Sequence, residues 1–153
     1  MRIIFGFFSL LFLANCNTYD NSSYNVFEEN NWHADSIITL NYNVVDSITK
    51  HNLYLKIRHT TDFEYQNIFL FVGFEEIRDT FEVILSEKNG KWLGKGFGDI
   101  KEVEYLIAKN IIFNSKTTNN VTVEHAMRYG DQPVITNLEG IIAIGININK
   151  SED

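Results

Sequence analysis

The 153-residue chain predicts an all-β protein: a single β-sandwich domain, jelly-roll or immunoglobulin-like in its connections, behind a signal peptide and a short tether. Three observations carry that prediction. Apolar residues recur at every second position in segment after segment, the period of a half-buried strand. Turn-forming residues punctuate those segments at short intervals, Asn89-Gly90 being the strongest pair. No stretch keeps an apolar period of about 3.6 residues long enough to make a convincing helix.

The first segment is the exception to the strand pattern. Arg2 gives a positive start, Ile3 to Ala14 is almost uninterruptedly apolar, and Leu13-Ala14-Asn15-Cys16 closes it. A hydrocarbon core needs ~20 apolar residues, so this run is too short to cross one. A charged start, a short apolar core and small residues before a cut site make an export signal. Cys16 is the only cysteine of the chain and stands where a bacterial lipoprotein signal places the residue to be acylated. The expectation is cleavage before Cys16, with lipid on its thiol and new amino group. Asn15 departs from the small residue usual at that position. The competing readings are an ordinary signal peptide with an incidental cysteine, and a buried strand. The polar run from Asn17 to Asn25 argues against the strand.

Residues 1–15 are thus signal, 16–31 the lipidated cysteine and polar tether, 32–149 the sandwich and 150–153 a frayed tail. Removing 15 of 153 residues leaves 138, enough for one domain with a real core. With one cysteine, no disulfide can form within the chain, and packing must supply the stability. Arg2 leaves with the signal, so the mature charge is 12 minus 20, or −8. That balance excludes nucleic acid as a partner, since such binding rests on neutralising phosphates. It also argues against adhesion to anionic lipid through protein charge, so the acyl chains must hold the membrane.

Asn17 to Asn31 reads as tether, rich in Asn, Ser, Asp and Glu with Tyr19, Tyr24 and Phe27 among them. Trp32 ends it as a core plug at a sheet edge. Ile38, Leu40, Tyr42 and Val44 share one face of the next strand. Asp46 to His51 is a turn, and Leu53, Leu55 and Ile57 point inward from a strand that turns Tyr54, Lys56 and Arg58 outward. Thr60-Thr61-Asp62 is a further turn, carrying Phe63 and Tyr65 on a polar loop. Asn67 to Phe74 is apolar on both faces, as a strand in the middle of a sandwich would be. Asp79 to Leu85 alternates with Phe81, Val83 and Leu85 inward. The pair Asn89-Gly90 then predicts a tight hairpin, both residues tolerating positive φ.

Lys91 to Asp99 follows, with Gly94, Gly96 and Gly98 at alternate positions. Three such glycines remove the side chains from one face, so either something approaches that backbone closely or the chain bends sharply there. Val103 to Ile107 and Asn110 to Phe113 form one bulged strand or two short ones. Ser115 to Asn120 is a turn, and Val121, Val123 and His125 begin another strand. Ala126-Met127-Arg128 suits one helical turn, and Gly130 to Asn137, with the only proline, reads as loop. Gly140 to Ile148 closes the domain with Ile142, Ile144, Ile146 and Ile148 on one face.

No catalytic motif emerges. The chain has no nucleophile elbow, no paired-histidine zinc motif and no phosphate loop. The glycines at 94, 96 and 98 lack both the spacing and the following helix that a nucleotide site needs. His33, His51, His59 and His125 fall in separate elements without ligand spacing, so neither metal nor another cofactor is expected. Asp62, Asp79, Asp99 and Glu124 are candidates for the carboxylate pair, ~5 to 9 Å apart, that glycoside hydrolysis requires, but sequence alone places no two of them at that distance, and turn caps and solvated edges are the plainer reading. Trp32, Tyr54, Phe63, Tyr65 and Trp92 suit stacking on sugar, but aromatics also favour strands and protein interfaces.

Over nearly the whole chain the residues resemble the gliding-motility lipoprotein family GldH of the Bacteroidetes. The likeness lies in the lipobox, Trp32 with Asp35, and Leu55-x-Ile57-Arg58 leading to Tyr65-x-Asn67-x-Phe69-Leu70-Phe71. It continues through Asp79-Thr80, Gly90-Lys91-Trp92-Leu93-Gly94-x-Gly96-x-Gly98-Asp99-Ile100 and Ala126-Met127-Arg128, to Gly140 and Gly145. Lys101, Glu102, Asn119, Asn120 and His125 depart from the family's habit at surface and turn positions. The resemblance implies a non-enzymatic envelope lipoprotein, held by lipid in the outer membrane rather than the inner. It implies work beside the gliding machinery and its associated protein-secretion system.

Two functions follow. One is an anchored assembly protein docking on other envelope proteins, with Trp92, Gly94, Gly96, Gly98, Asp99, Arg58, Tyr65 and Arg128 as the partner-binding residues. It predicts an exposed patch with Arg58 or Arg128 near an aromatic ring. The other is a lipid-anchored carbohydrate-binding module holding peptidoglycan or surface polysaccharide. It predicts a groove floored by coplanar aromatics and rimmed by amides.

Overall fold

The computed structural model describes residues 22–44, 48–113 and 119–152. The signal segment, Cys16, most of the expected tether, and parts of the turns expected at 46–51 and 115–120 lie outside them. Ten strands are present among the described residues: β1 (Ser23–Val26), β2 (Asn31–His33), β3 (Ile38–Asn41), β4 (His51–Thr60) and β5 (Asn67–Phe74). They continue with β6 (Ile77–Ile84), β7 (Ile100–Ile111), β8 (Asn120–His125), β9 (Asn137–Glu139) and β10 (Ile141–Lys150). One sheet runs β1-β10-β4-β7 and a second β3-β8-β5-β6, while β2 and β9 pair separately. The two larger sheets pack face to face as a single β-sandwich domain, the class the alternation predicts.

The alternation sets what is buried. In β4, Leu53, Leu55 and Ile57 are fully buried, and Tyr54, Lys56 and Arg58 lie on the outer face. Opposite them, Ile68, Leu70 and Val72 of β5 and Val121 and Val123 of β8 fill the second layer. β5 lies between β8 and β6, so neither of its edges is free. Its outer face meets solvent and not another layer: Phe69 is 37% exposed. Trp32 is completely buried, stacked on Phe27 at 5.1 Å and edge-on to His125 at 5.2 Å, and its indole N–H donates to the Ser36 carbonyl.

Four local expectations are corrected. Residues 23–26, tether by composition, form β1 against β10, with Tyr24 opposite Gly145. Ala126-Met127-Arg128 is extended and not helical. The Ala126 amide donates to the Phe69 carbonyl at 2.7 Å and the Ile135 amide to the Met127 carbonyl at 2.9 Å, so the segment prolongs β8 along β5. A bulge between Ile141 and Ala143 puts Ile142 out of phase, and Ile141, Ile144, Ile146 and Ile148 form the buried set. Lys150, expected in the tail, still pairs with His51. The segment read as one strand or two is one: β7 continues past a register shift, with Asn110 in the left-handed region at φ 60°.

Three histidines sit in the sandwich interior: His51, His59 and His125. Neither ring nitrogen of His125 has a hydrogen-bond partner among the described residues. Burial, and secondarily the neighbouring His33, push its pKa down to about 4. Because the folded value lies below the unfolded ~6.5, the unfolded chain takes up the proton first as pH falls. The neutral ring's contribution is therefore complete above pH ~6.5 and is lost as pH falls toward about 4. Stability is expected to drop by about 2 kcal/mol between pH 7 and pH 5 through this group alone. Thermal melting across that window checks it, and His125→Leu should flatten most of the slope.

Candidate functional surfaces

Five of the eight predicted partner-binding residues lie in one loop. After β6 the chain turns through residues 87–91, where Gly90 takes φ 86° and Asn89 stays out of the left-handed region. Asn89 serves the turn with its side chain, Oδ1 accepting from the Lys91 amide at 2.9 Å. Ser86 then faces Trp92, and the chain continues antiparallel to the start of β7. Lys95 and Glu102 exchange both backbone hydrogen bonds, 2.9 and 2.7 Å, closing a hairpin whose apex is Phe97-Gly98-Asp99. The Thr61 amide donates to the Asp99 carbonyl at 2.8 Å and ties the apex to the turn after β4.

The neighbour that the alternating glycines require is β7 itself. A Cβ on Gly94, at φ 83°, would strike the Glu102 carbonyl, and one on Gly96, at φ 153°, would strike the Ile100 carbonyl. Gly98 differs: its φ is 59°, but open space surrounds the position. Two glycines thus let the loop lie flush on β7, and the third turns the apex. Between Gly96 and Gly98 stands Phe97, 97% exposed.

Trp92 lies half-buried at the base of the hairpin, its ring 4.8 Å from His59. His59 is 6.1 Å from Phe63, which is 5.5 Å from Tyr65, so Tyr65 joins the hairpin through a row of rings. Burial foremost, and Lys101 in addition, lower the His59 pKa, while its Nδ1–H donation to the Thr60 carbonyl works against them.

Arg58 lies beside this region on the outer face of the first sheet. Its guanidinium reaches one Glu102 carboxylate oxygen at 2.8 and 3.0 Å and lies 5.1 Å from the Tyr24 ring centre. The Tyr24 hydroxyl donates to the same carboxylate at 3.4 Å. That ring covers Gly145, where a Cβ would collide with it. An arginine near an aromatic ring is what the docking reading expects, and for Arg58 that ring is Tyr24. Tyr24 was hidden by the polar company that made its segment look like tether.

Arg128 stands apart, on the outer face of the second sheet with Phe69 and Phe71. The four carboxylates considered for hydrolysis do not converge. Asp62 lines a cleft of about 340 Å³ with Glu29, Glu64 and Glu139. Asp99 is in the hairpin, Glu124 pairs with Arg78 at 3.0 Å, and Asp79 accepts from the Thr80 amide. Among the described residues no three His, Cys, Asp or Glu side chains gather as a metal site would need. None of the helices there is long and apolar enough to cross a membrane.

The described residues thus form a β-sandwich with one pinned hairpin and an arginine on the outer face of each larger sheet. The chain belongs to the GldH lipoprotein family, whose model matches residues 19–148. It is 34% identical to the gliding motility lipoprotein GldH homolog of Christiangramia forsetii, over 95% of this chain and 93% of that one. It is 33% identical to the gliding motility lipoprotein GldH of Flavobacterium johnsoniae, over 79% of each chain. Membership of a lipoprotein family supports a membrane-anchored place in the cell envelope.

Proposed function

We propose that this protein is a lipid-anchored, non-enzymatic docking element of the cell envelope. Through protein contacts at the 94–99 hairpin it supports assembly of the gliding machinery and its associated secretion system. The observation that carries the reading is Phe97. A fully exposed phenylalanine costs solubility and packs nothing, and this one is presented by a loop already fixed at Lys95, Glu102 and Thr61. Such preorganisation keeps the ordering cost of binding low.

The hairpin apex sits beyond Ile100, at the end of the first sheet that holds Thr60, where loops are free to carry recognition. The carbohydrate reading finds less support: the cleft around Asp62 has no aromatic residue in its lining, and the groove that does, at Phe69 and Phe71, has no amide or acid side chain in its own.

The anchor half of the proposal is tested by Cys16→Ala. Two or three acyl chains supply membrane affinity that no single surface contact replaces. The variant is expected in the soluble fraction after a high-salt wash, folded and unable to support gliding. Membrane retention of the variant, with no lipid mass on the wild-type protein, would refute the anchor. The docking half is tested at Phe97.

A further inference from the structure

Independently of the hairpin, we infer that the outer face of the second sheet holds a recognition groove for an apolar peptide segment bearing a carboxylate. Strand alternation sends Phe69 and Phe71 of β5 outward, where a sandwich facing water normally carries polar residues. With Thr80, Ala126 and Arg128 they line a groove of about 250 Å³, room for one or two side chains but not for a helix.

The charges say what else the occupant carries. Three arginines fall among the described residues. Arg58 is neutralised by Glu102 and Arg78 by Glu124, each within 3.0 Å. Arg78 also lies 5.7 Å from the Phe71 ring centre. Arg128 is exposed, lines the groove and has no ion-pair partner among the described residues. On a chain of net charge −7, a free guanidinium kept beside two aromatic rings is placed for an incoming carboxylate, which it binds through paired N–H donors. An acidic sugar would also carry a carboxylate, but its hydroxyls need amides and acids around them. The lining adds only the Thr80 hydroxyl to Arg128, and the acids opposite Phe69 and Phe71, Glu82 and Glu124, are already engaged by Asn67 and Arg78. A bulky apolar side chain next to an Asp, a Glu or a chain terminus fits both parts of the lining.

The segment's position is held from behind. The Phe69 carbonyl accepts from the Ala126 amide, and the Phe69 amide donates to the Met127 sulfur at 3.3 Å. These contacts fix Arg128 relative to the rings without using its side chain. That accounts for an extended Ala-Met-Arg segment where a helical turn is expected.

The test uses the whole chain purified in detergent and a displayed library of random twelve-residue peptides, counter-selected on Arg128→Glu. Enriched peptides are expected to carry Asp, Glu or a free carboxyl terminus within two positions of Phe, Leu, Trp or Ile. A synthetic copy of the best of them should bind Arg128→Glu at least tenfold more weakly and Arg128→Lys to an intermediate degree. Its affinity should fall with added salt and should not change for Phe97→Ser. Arg128 is exposed, so unchanged melting is expected to accompany its substitution. No enrichment over the counter-screen, or equal binding by both Arg128 variants, would overturn the inference. So would polygalacturonate competing while acidic peptides do not.

Discussion

Gly96→Ala is expected to cost about 2 to 3 kcal/mol, although Gly96 lies on an exposed hairpin and the change adds one methyl group. The new Cβ would strike the Ile100 carbonyl oxygen, with the Ile100 carbonyl carbon at 3.0 Å and Lys101 Cα at 3.2 Å. All three are backbone of β7, which is paired with β4 along its length and cannot step aside. A φ of 153° adds strain that glycine does not feel. The cheapest escape is for the hairpin to lift off β7, giving up both Lys95–Glu102 hydrogen bonds. The melting temperature should therefore fall, and amide exchange should show lost protection at Lys95 and Glu102. Unchanged melting with intact protection would mean that the loop does not lie flush on β7. Gly98, with open space around it, should accept Asn at little cost, because Asn tolerates its left-handed φ of 59°. Loss of gliding in Gly96→Ala would then report loss of the hairpin's shape and could not by itself identify a contact.

How much of this could be read beforehand depended on whether the deciding interaction was local. β4 was legible because Leu53, Leu55 and Ile57 alternate with polar neighbours, and the pleat converts that period directly into burial. β1 was not, because nothing in Ser23-Tyr24-Asn25-Val26 demands a partner. Its pairing is decided some 120 residues later, by a bare Gly145 that the Tyr24 ring can cover. The phase of β10 failed for a similar reason, since a bulge adds a residue without changing composition. The 94–98 glycines announced a close approach but could not say to what. The answer, the β7 carbonyls, is a tertiary fact. Phe97 carries a signal in the sequence itself: a large apolar residue between two glycines, in a loop with no core to enter. The apolar residues on both faces of β5 suggest a strand covered on each side, whereas Phe69 and Phe71 face solvent because no described layer lies over them.

Phe97→Ser separates shape from contact, and its expected effect is all or nothing. A side chain 97% exposed packs on nothing, so its removal should change stability by less than about 0.5 kcal/mol. The flanking glycines, the Lys95–Glu102 pairing and the Thr61–Asp99 hydrogen bond all survive the change, so the apex keeps its form. A docking anchor behaves otherwise, because interface energy concentrates in a few buried aromatic side chains and truncating one costs 2 kcal/mol or more of binding. The measurement is colony spreading by cells carrying Phe97→Ser as their sole copy, with envelope abundance and melting temperature determined on the same variant. Wild-type abundance and melting with spreading abolished is the predicted result. Wild-type abundance with wild-type spreading would contradict docking through the hairpin.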